Sequence, residues 1–237
     1  RYIRTIPKVG YRLIAPVTLP EDYRSMPADS DRWTQGSPYV GLSAFDARHA
    51  IVFCGRSRML AELLAAMRSQ IENERSFILM LGPSGCGKTS LLRAGAIPLL
   101  TQANGFDGLQ ALSVASCDLA AAHGGDVLTP LAEALAGWTL GGRPVLPPQS
   151  TAQLKAVLAR EPESIVADIE AVFRHPAGRA FDDRPHAHLL LTIDHAEALV
   201  AADDIDADAR DAFARVLRTL CACARTLTTM VARIDFY

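Results

Sequence analysis

Phe77-Ile78-Leu79-Met80-Leu81, followed by Gly82-Pro83-Ser84-Gly85-Cys86-Gly87-Lys88-Thr89-Ser90, decides the fold. A short, unbroken apolar run is what a strand buried on both faces requires. Gly82 to Thr89 completes the pattern G-x-x-x-x-G-K-[ST], and a helix is expected from about Lys88. Each residue type has a physical reason to be there. The glycines let the backbone turn so that successive N–H groups converge on phosphate oxygens. The helix N-terminus adds partial positive charge. Lys88 supplies a point charge for β- and γ-phosphates, and Thr89 a hydroxyl for Mg²⁺. Composition alone produces this pattern by accident about once in 100 chains of this length, and the expected strand and helix around it make accident rarer. A nucleotide-phosphate site is therefore expected from Gly82, Pro83, Ser84, Gly85, Cys86, Gly87, Lys88, Thr89 and Ser90.

Outward from this loop, elements alternate. Met59, Leu60, Leu63, Leu64 and Met67 mark a helix over 57–72. Residues 111–115 read as a strand, 130–137 as a helix, and 141–150 (GGRPVLPPQS) as a loop. Helices are expected around 154–158 and 165–173. Leu189-Leu190-Leu191-Thr192-Ile193 reads as a second buried strand, 206–222 as a helix and 227–234 as a last strand. Strands separated by helices predict an α/β fold with a mostly parallel sheet covered on both faces.

Ligands in such sheets sit beyond the carboxyl ends of the strands. Asp194, which ends the run from Leu189, is aimed there and is expected to hold Mg²⁺ with Thr89, directly or through water; a strand-end turn Asp is the plainer alternative. Glu197 reads either as the group that orients an attacking water or as a helix-start Glu favoured by the dipole. Arg233 closes the last apolar run and reads either as a γ-phosphate sensor or as a surface Arg. With Lys88, these two form the candidate catalytic set.

The chain has 237 residues, 49% hydrophobic and 21% charged, with a net charge of −2. That excludes collagen-like, low-complexity and disordered classes, and it argues against a surface that coats nucleic acid throughout. At 6% aromatic residues the core must lean on Ala, Leu, Val and Ile. No apolar run reaches the roughly 18 residues of a membrane span. Cysteines at 54, 86, 117, 221 and 223 are odd in number and scattered, which fits a reducing cytoplasm. Cys221 and Cys223 lie in a helical pattern and read as core, and His186 and His188 complete no ligand spacing. The chain opens on Arg1 within strand-like sequence, so a longer parent is expected. Residues 1–17 alternate around Pro7-Lys8-Val9-Gly10 as a basic β-hairpin, and 18–37 read as a linker.

Several stretches together resemble a known family. Pro38-Tyr39-Val40-Gly41-Leu42-Ser43-Ala44-Phe45, Phe53-Cys54-Gly55-Arg56, the phosphate loop, and then Arg93, Ala94, Gly95 and Pro98 look like the opening of a STAND-type signalling P-loop NTPase of the bacterial novel-STAND group. Pro130 to Leu135 and Arg233 to Tyr237 are similar to further family elements. The resemblance covers residues 38–237. It implies an ATP-driven switch, with ATP and Mg²⁺ as cofactors, Gly55 and Arg56 near the adenine, Asp194 as the Walker B acid and Arg233 as the sensor. It also implies a further strand and a C-terminal sensor or repeat domain beyond this chain, a sheet incomplete at one edge, and a nucleotide-dependent oligomer. Two departures stand out. Ser57 replaces the family's usual Glu, and His195-Ala196-Glu197-Ala198 replaces Gln-Phe-Glu-Glu, so that one of two acids remains.

Tyr2-Ile3-Arg4-Thr5-Ile6-Pro7 with Gly10-Tyr11-Arg12-Leu13 resembles the closing wing hairpin of an OmpR/PhoB-type winged-helix DNA-binding domain. That likeness implies Lys8 at a wing tip facing the minor groove, with Arg4 and Arg12 beside it. The recognition helix is absent, so this chain is expected to bind DNA weakly or not at all. The resulting expectation is a wing remnant (1–17), a linker (18–37) and an NTPase domain (38–237) of a cytoplasmic transcription regulator. One alternative is a nucleotide-gated binding module with little hydrolysis. Another is a small-molecule kinase, for which the Arg-rich lid is missing.

Overall fold

The computed structural model describes residues 3–6, 10–13, 33, 37–175 and 187–236. It falls into two compact units, Arg1–Pro38 and Tyr39–Tyr237. In the first, β1 (Ile3–Ile6) and β2 (Gly10–Leu13) pair antiparallel, with Ile3 opposite Leu13 and Arg4 opposite Arg12. Lys8, most of the expected linker and His186 lie outside the described residues.

The second unit is an α/β layer structure. Helix α1 (Ser57–Glu72) buries Leu63, Leu64 and Met67, the apolar stripe its spacing predicts. Strand β3 (Phe77–Gly82) then delivers the phosphate loop. Helix α2 (Lys88–Ser90) continues through a π turn (Leu91–Ala96) into α3 (Ile97–Leu100). Strand β4 (Gln110–Asp118) is longer at both ends than its apolar centre suggests. Its polar residues are absorbed by neighbours: the Ser113 hydroxyl accepts from the Thr139 amide, and Ser116 meets the Thr192 hydroxyl at 3.1 Å. Helix α4 (Leu128–Ala136) leads to a short hairpin, β5 (Thr139–Leu140) and β6 (Arg143–Pro144), where the sequence predicts loop from residue 141. Helices α5 (Thr151–Arg160) and α6 (Ser164–Arg174) follow. Then come β7 (Ala187–Asp194), the short α7 (Ala198–Ala201), α8 (Ala207–Ala222) and β8 (Thr226–Arg233).

The sheet order is β3-β8-β7-β4, and every pairing is parallel. All residues of β7 are buried, so it reads as a continuous apolar run rather than an alternation. Its side chains divide by parity: Leu189, Leu191 and Ile193 enter one core, Leu190 the other. Strand β3 is at the sheet edge among the described residues, and its Leu79 is 40% exposed. No described helix is long and apolar enough to cross a membrane.

Candidate functional site at the carboxyl ends of the strands

The parallel register brings four strand ends together. Gly82 pairs with Arg233, and Asp118 with Asp194. After Gly82 the loop turns through Gly85 (φ 72°) and Gly87 (φ 87°), in the left-handed region where glycine is favoured. Gly82 is required for a different reason: a Cβ there would stand 3.0 Å from the Cys86 sulfur. Lys88 folds back across the loop, its Nζ donating to the carbonyls of Gly82 (2.7 Å) and Pro83 (2.9 Å), with Cys86 Sγ 3.9 Å away.

Asp194 is 6% exposed, and donors surround it. Its Oδ1 accepts from the Thr89 hydroxyl at 3.1 Å and from the His195 amide at 3.0 Å. Its Oδ2 accepts from Arg93 Nη2 at 3.1 Å. Burying a carboxylate is costly unless it is paired and hydrogen-bonded in this way. The Thr89 hydroxyl and the Asp194 carboxylate are both hard oxygen donors, joined across the loop–strand gap. That is the donor chemistry of a Mg²⁺ that keeps several waters and takes phosphate oxygens. Among the described residues no group of three or more His, Cys, Asp or Glu forms an all-protein metal cage, Cys221 and Cys223 included.

His195 follows Asp194 with φ 54°, an uncommon conformation for a non-glycine residue. Its Nδ1 lies 2.7 Å from Asp118 Oδ1. Partial burial pushes the imidazole down, but the Asp118 hydrogen bond and the charges of Asp194, Asp118 and Glu197 outweigh it, leaving the ring above its ordinary value. Glu197 Oε2 accepts from the Arg233 backbone amide at 3.1 Å, tying the exit of β7 to the end of β8. The Arg233 guanidinium pairs with Asp235. That bond, with the Lys88 charge nearby, holds the Asp235 carboxyl below its usual range.

The segment before α1 leans on the same helix. The Ser90 hydroxyl accepts from the Phe45 amide at 3.1 Å, so Ser90 faces this entry segment. Phe45 packs edge-on against His49 and Phe53, at centroid distances of 5.3 and 6.1 Å. Phe53 and Leu60 close on Gly95, where a Cβ would be 3.2 Å from each. Gly55 (φ 81°) turns the chain, and the Arg56 guanidinium reaches Gly87, 3.6 Å from the position a Cβ would occupy there.

The structure thus gathers Lys88, Thr89, Asp194, Glu197, Arg233 and Arg56 around one set of strand ends. Arg4 and Arg12 lie in the other unit, as Cα partners in the hairpin. Sequence reasoning missed two residues as site members. Arg93 carried a signal, since it lies four positions after Thr89 on one helix and so on the same face. Asp118 was hidden because its strand looked shorter than it is.

Residues 38–237 match the family model described as Novel STAND NTPase 1. No curated protein matches the chain. Among solved structures, the chain is similar to one described as "Structure of Drosophila ORC bound to DNA", with TM-score 0.46 and 16% identity over 93% of this chain and 48% of that one. The chain therefore spans about half the length of that neighbour.

Proposed function

The chain belongs to the novel STAND NTPase 1 family, and we propose that within it residues 38–237 form a switch domain that binds ATP with Mg²⁺ and hydrolyses it slowly. The observation that carries this reading is the 3.1 Å bond between the Thr89 hydroxyl and buried Asp194, which joins phosphate loop and acid strand at one point. Lys88, now held by its own loop carbonyls, is the group that transfers to phosphate oxygens when they arrive. Mg²⁺ on Thr89 and Asp194 would neutralise charge on the bridging phosphates. Arg233, beside Gly82 in register, senses the terminal phosphate, and Glu197 orients the attacking water. Gly55 and Arg56 border the nucleotide, and the Arg56 position at Gly87 favours a place near the phosphates as well as the base.

A second reading is favoured by one contact. The Glu197 carboxylate is engaged by the Arg233 amide, and His195 stands where the family has Gln. A domain so arranged gates a binding event by nucleotide occupancy with little hydrolysis.

The wider context extends the proposal. Residues 1–17 are the wing of a winged-helix DNA-binding domain, with Arg4, Lys8 and Arg12 toward DNA, and 18–37 are the linker. The parent protein is a cytoplasmic transcription regulator whose nucleotide state changes DNA presentation or oligomerisation, together with a C-terminal sensor domain. The Thr-Ile-Pro-Lys-x-Gly-Tyr-Arg-Leu string and the antiparallel pairing of β1 with β2 support this.

Calorimetry of ATP and GTP binding, with and without Mg²⁺, on the wild type and Lys88→Ala is the test. Mg²⁺-dependent ATP binding that the variant loses is expected. Equal affinity in the two proteins would sink the proposal. Single-turnover product formation, with Glu197→Gln alongside, separates a slow enzyme from a gated module.

A further inference from the structure

The phosphate helix carries a cation that the reading above does not use. Arg93 sits in the π turn Leu91–Ala96, one turn beyond Thr89. Its Nη2 binds Asp194 Oδ2 at 3.1 Å, while the Thr89 hydroxyl binds Oδ1 at the same distance. The Asp194 side chain is 9% exposed and that of Arg93 35%. The carboxylate is therefore divided: one oxygen belongs to a fixed positive charge, the other to two neutral donors, the Thr89 hydroxyl and the His195 amide.

This division has two physical consequences. Holding Oδ2 fixes the rotation of the carboxylate, which keeps Oδ1 turned toward Thr89. It also neutralises Asp194 within the protein. A dication arriving alone at Oδ1 and the Thr89 hydroxyl would gain one carboxylate oxygen and meet a guanidinium across the same group, a repulsion that the partly exposed position of Arg93 screens only in part. A dication arriving with a di- or triphosphate brings its own anionic oxygens, and that opposition is offset.

We propose that Arg93 is a positioning residue that makes divalent-cation binding conditional on nucleotide. It serves as the resident counter-ion of Asp194, so that free Mg²⁺ is refused and the metal enters with phosphate. The inference rests on Thr89 and Asp194 being the metal site, and it goes beyond that reading by assigning the coupling between metal and nucleotide to one side chain. Coupling of this kind is reciprocal: whatever Arg93 adds to the nucleotide dependence of metal affinity, it adds equally to the metal dependence of nucleotide affinity.

The test reads metal binding directly. Mn²⁺, whose electron paramagnetic signal is lost on binding, is titrated into the chain with and without ADP. The wild type is expected to bind Mn²⁺ weakly alone and much more tightly with ADP. Arg93→Gln keeps an N–H donor for Oδ2 and removes the charge. Its nucleotide-free Mn²⁺ affinity is expected to rise roughly tenfold, with the ADP-dependent gain shrinking by a similar factor. Arg93→Lys, which keeps the charge, is expected to stay close to wild type. Arg93→Met is a second neutral variant, with the same expected rise, should the Gln protein fail to fold. Wild-type-like nucleotide-free binding in the neutral variants would overturn the proposal, as would a rise in Arg93→Lys equal to theirs. Asp194→Asn separates the two levels. If it abolishes Mn²⁺ binding while neutral Arg93 variants behave as wild type, the metal site stands and the role of Arg93 falls. If it leaves Mn²⁺·ADP binding unchanged, both fall.

Discussion

The two faces of the sheet are built differently. One face is thick. Helices α4, α5, α6 and α8, with Trp138 from the turn after α4, bring Phe173, Phe213 and a wealth of Leu and Ile onto Leu189, Leu191 and Ile193. The other is thin, made of Leu63, Leu64 and Met67 from α1 and Leu91, Leu92, Ala96 and Leu100 from the phosphate helix, against Ile78, Leu190, Leu227 and Val231. The buried aromatic residues of these two cores are all on the thick face. The loop, Lys88, Thr89 and Arg93 are all carried by the thin one. The contrast teaches that the larger apolar core lies behind the sheet, while the helix after the loop is seated by Leu91, Leu92 and Leu100 and meets a segment from upstream at Gly95. Parts that must respond to ligand are drawn from the less heavily packed side.

This division can be broken by mutation. The largest effect is expected on the thick face. Trp138 is fully buried, and its Nε1 donates to the Leu190 carbonyl at 3.2 Å. Trp138→Ala should lose about 3–5 kcal/mol in denaturant unfolding, yet leave the ATP affinity of the folded protein unchanged. A parallel loss of affinity would end the separation of the faces. Next comes Gly87→Ala in the loop, where φ is 87°. It should cost about 1–2 kcal/mol but lower ATP affinity by roughly tenfold or more, because the amides it misaligns are those proposed to meet phosphate. On the thin face, Gly95→Ala places a methyl 3.2 Å from Phe53 and Leu60. Crowding of about 1 kcal/mol is offset by the helix preference of Ala over Gly, about 1 kcal/mol. Melting should barely move, while a shift in affinity, measured by calorimetry, reports the path through Phe53 and Phe45 to Ser90.

The smallest effect is electrostatic. His195 should titrate by NMR above its ordinary value, and Asp118→Asn should lower that midpoint. With the folded value raised, the stabilisation is fully present below the unfolded value near 6.5 and is lost as pH rises through the folded one. The side chain is 48% exposed, so the change in melting temperature should be slight.

Legibility in the sequence followed the same contrast. The phosphate loop and β7 were readable because each is a local pattern: glycines at fixed offsets, and an apolar run ending in Asp194. Strand β4 reads short in the sequence, over 111–115, because Ser116 and Asp118 look like loop residues until Thr192 and His195 supply their partners. Its end, Asp118, was lost with it, and so was the His195–Asp118 contact. The π turn has no distinct composition. Phe53 and Leu60 close on its Gly95, a tertiary contact that local sequence does not announce. Arg93 is visible in the sequence as part of a family motif but without a role, because its partner lies on a strand far along the chain. Local chemistry was legible, and long-range pairing was not.

The sheet order carries a consequence for biosynthesis. Strand β3, which bears the phosphate loop, pairs among the described strands with β8 alone, and β8 follows the other three strands of the sheet in the chain. It slots between β3 and β7 after both exist. A ribosome adding 5–20 residues per second would leave the loop's own strand waiting roughly 8–30 s for its neighbour. Through that interval the apolar run from Phe77 to Leu81 lacks β8, its partner among the described strands, and an unpaired apolar strand is a template for sticking to other chains. Among the described strands, the strand that bears the loop thus joins the sheet only when the central strand β8 is inserted.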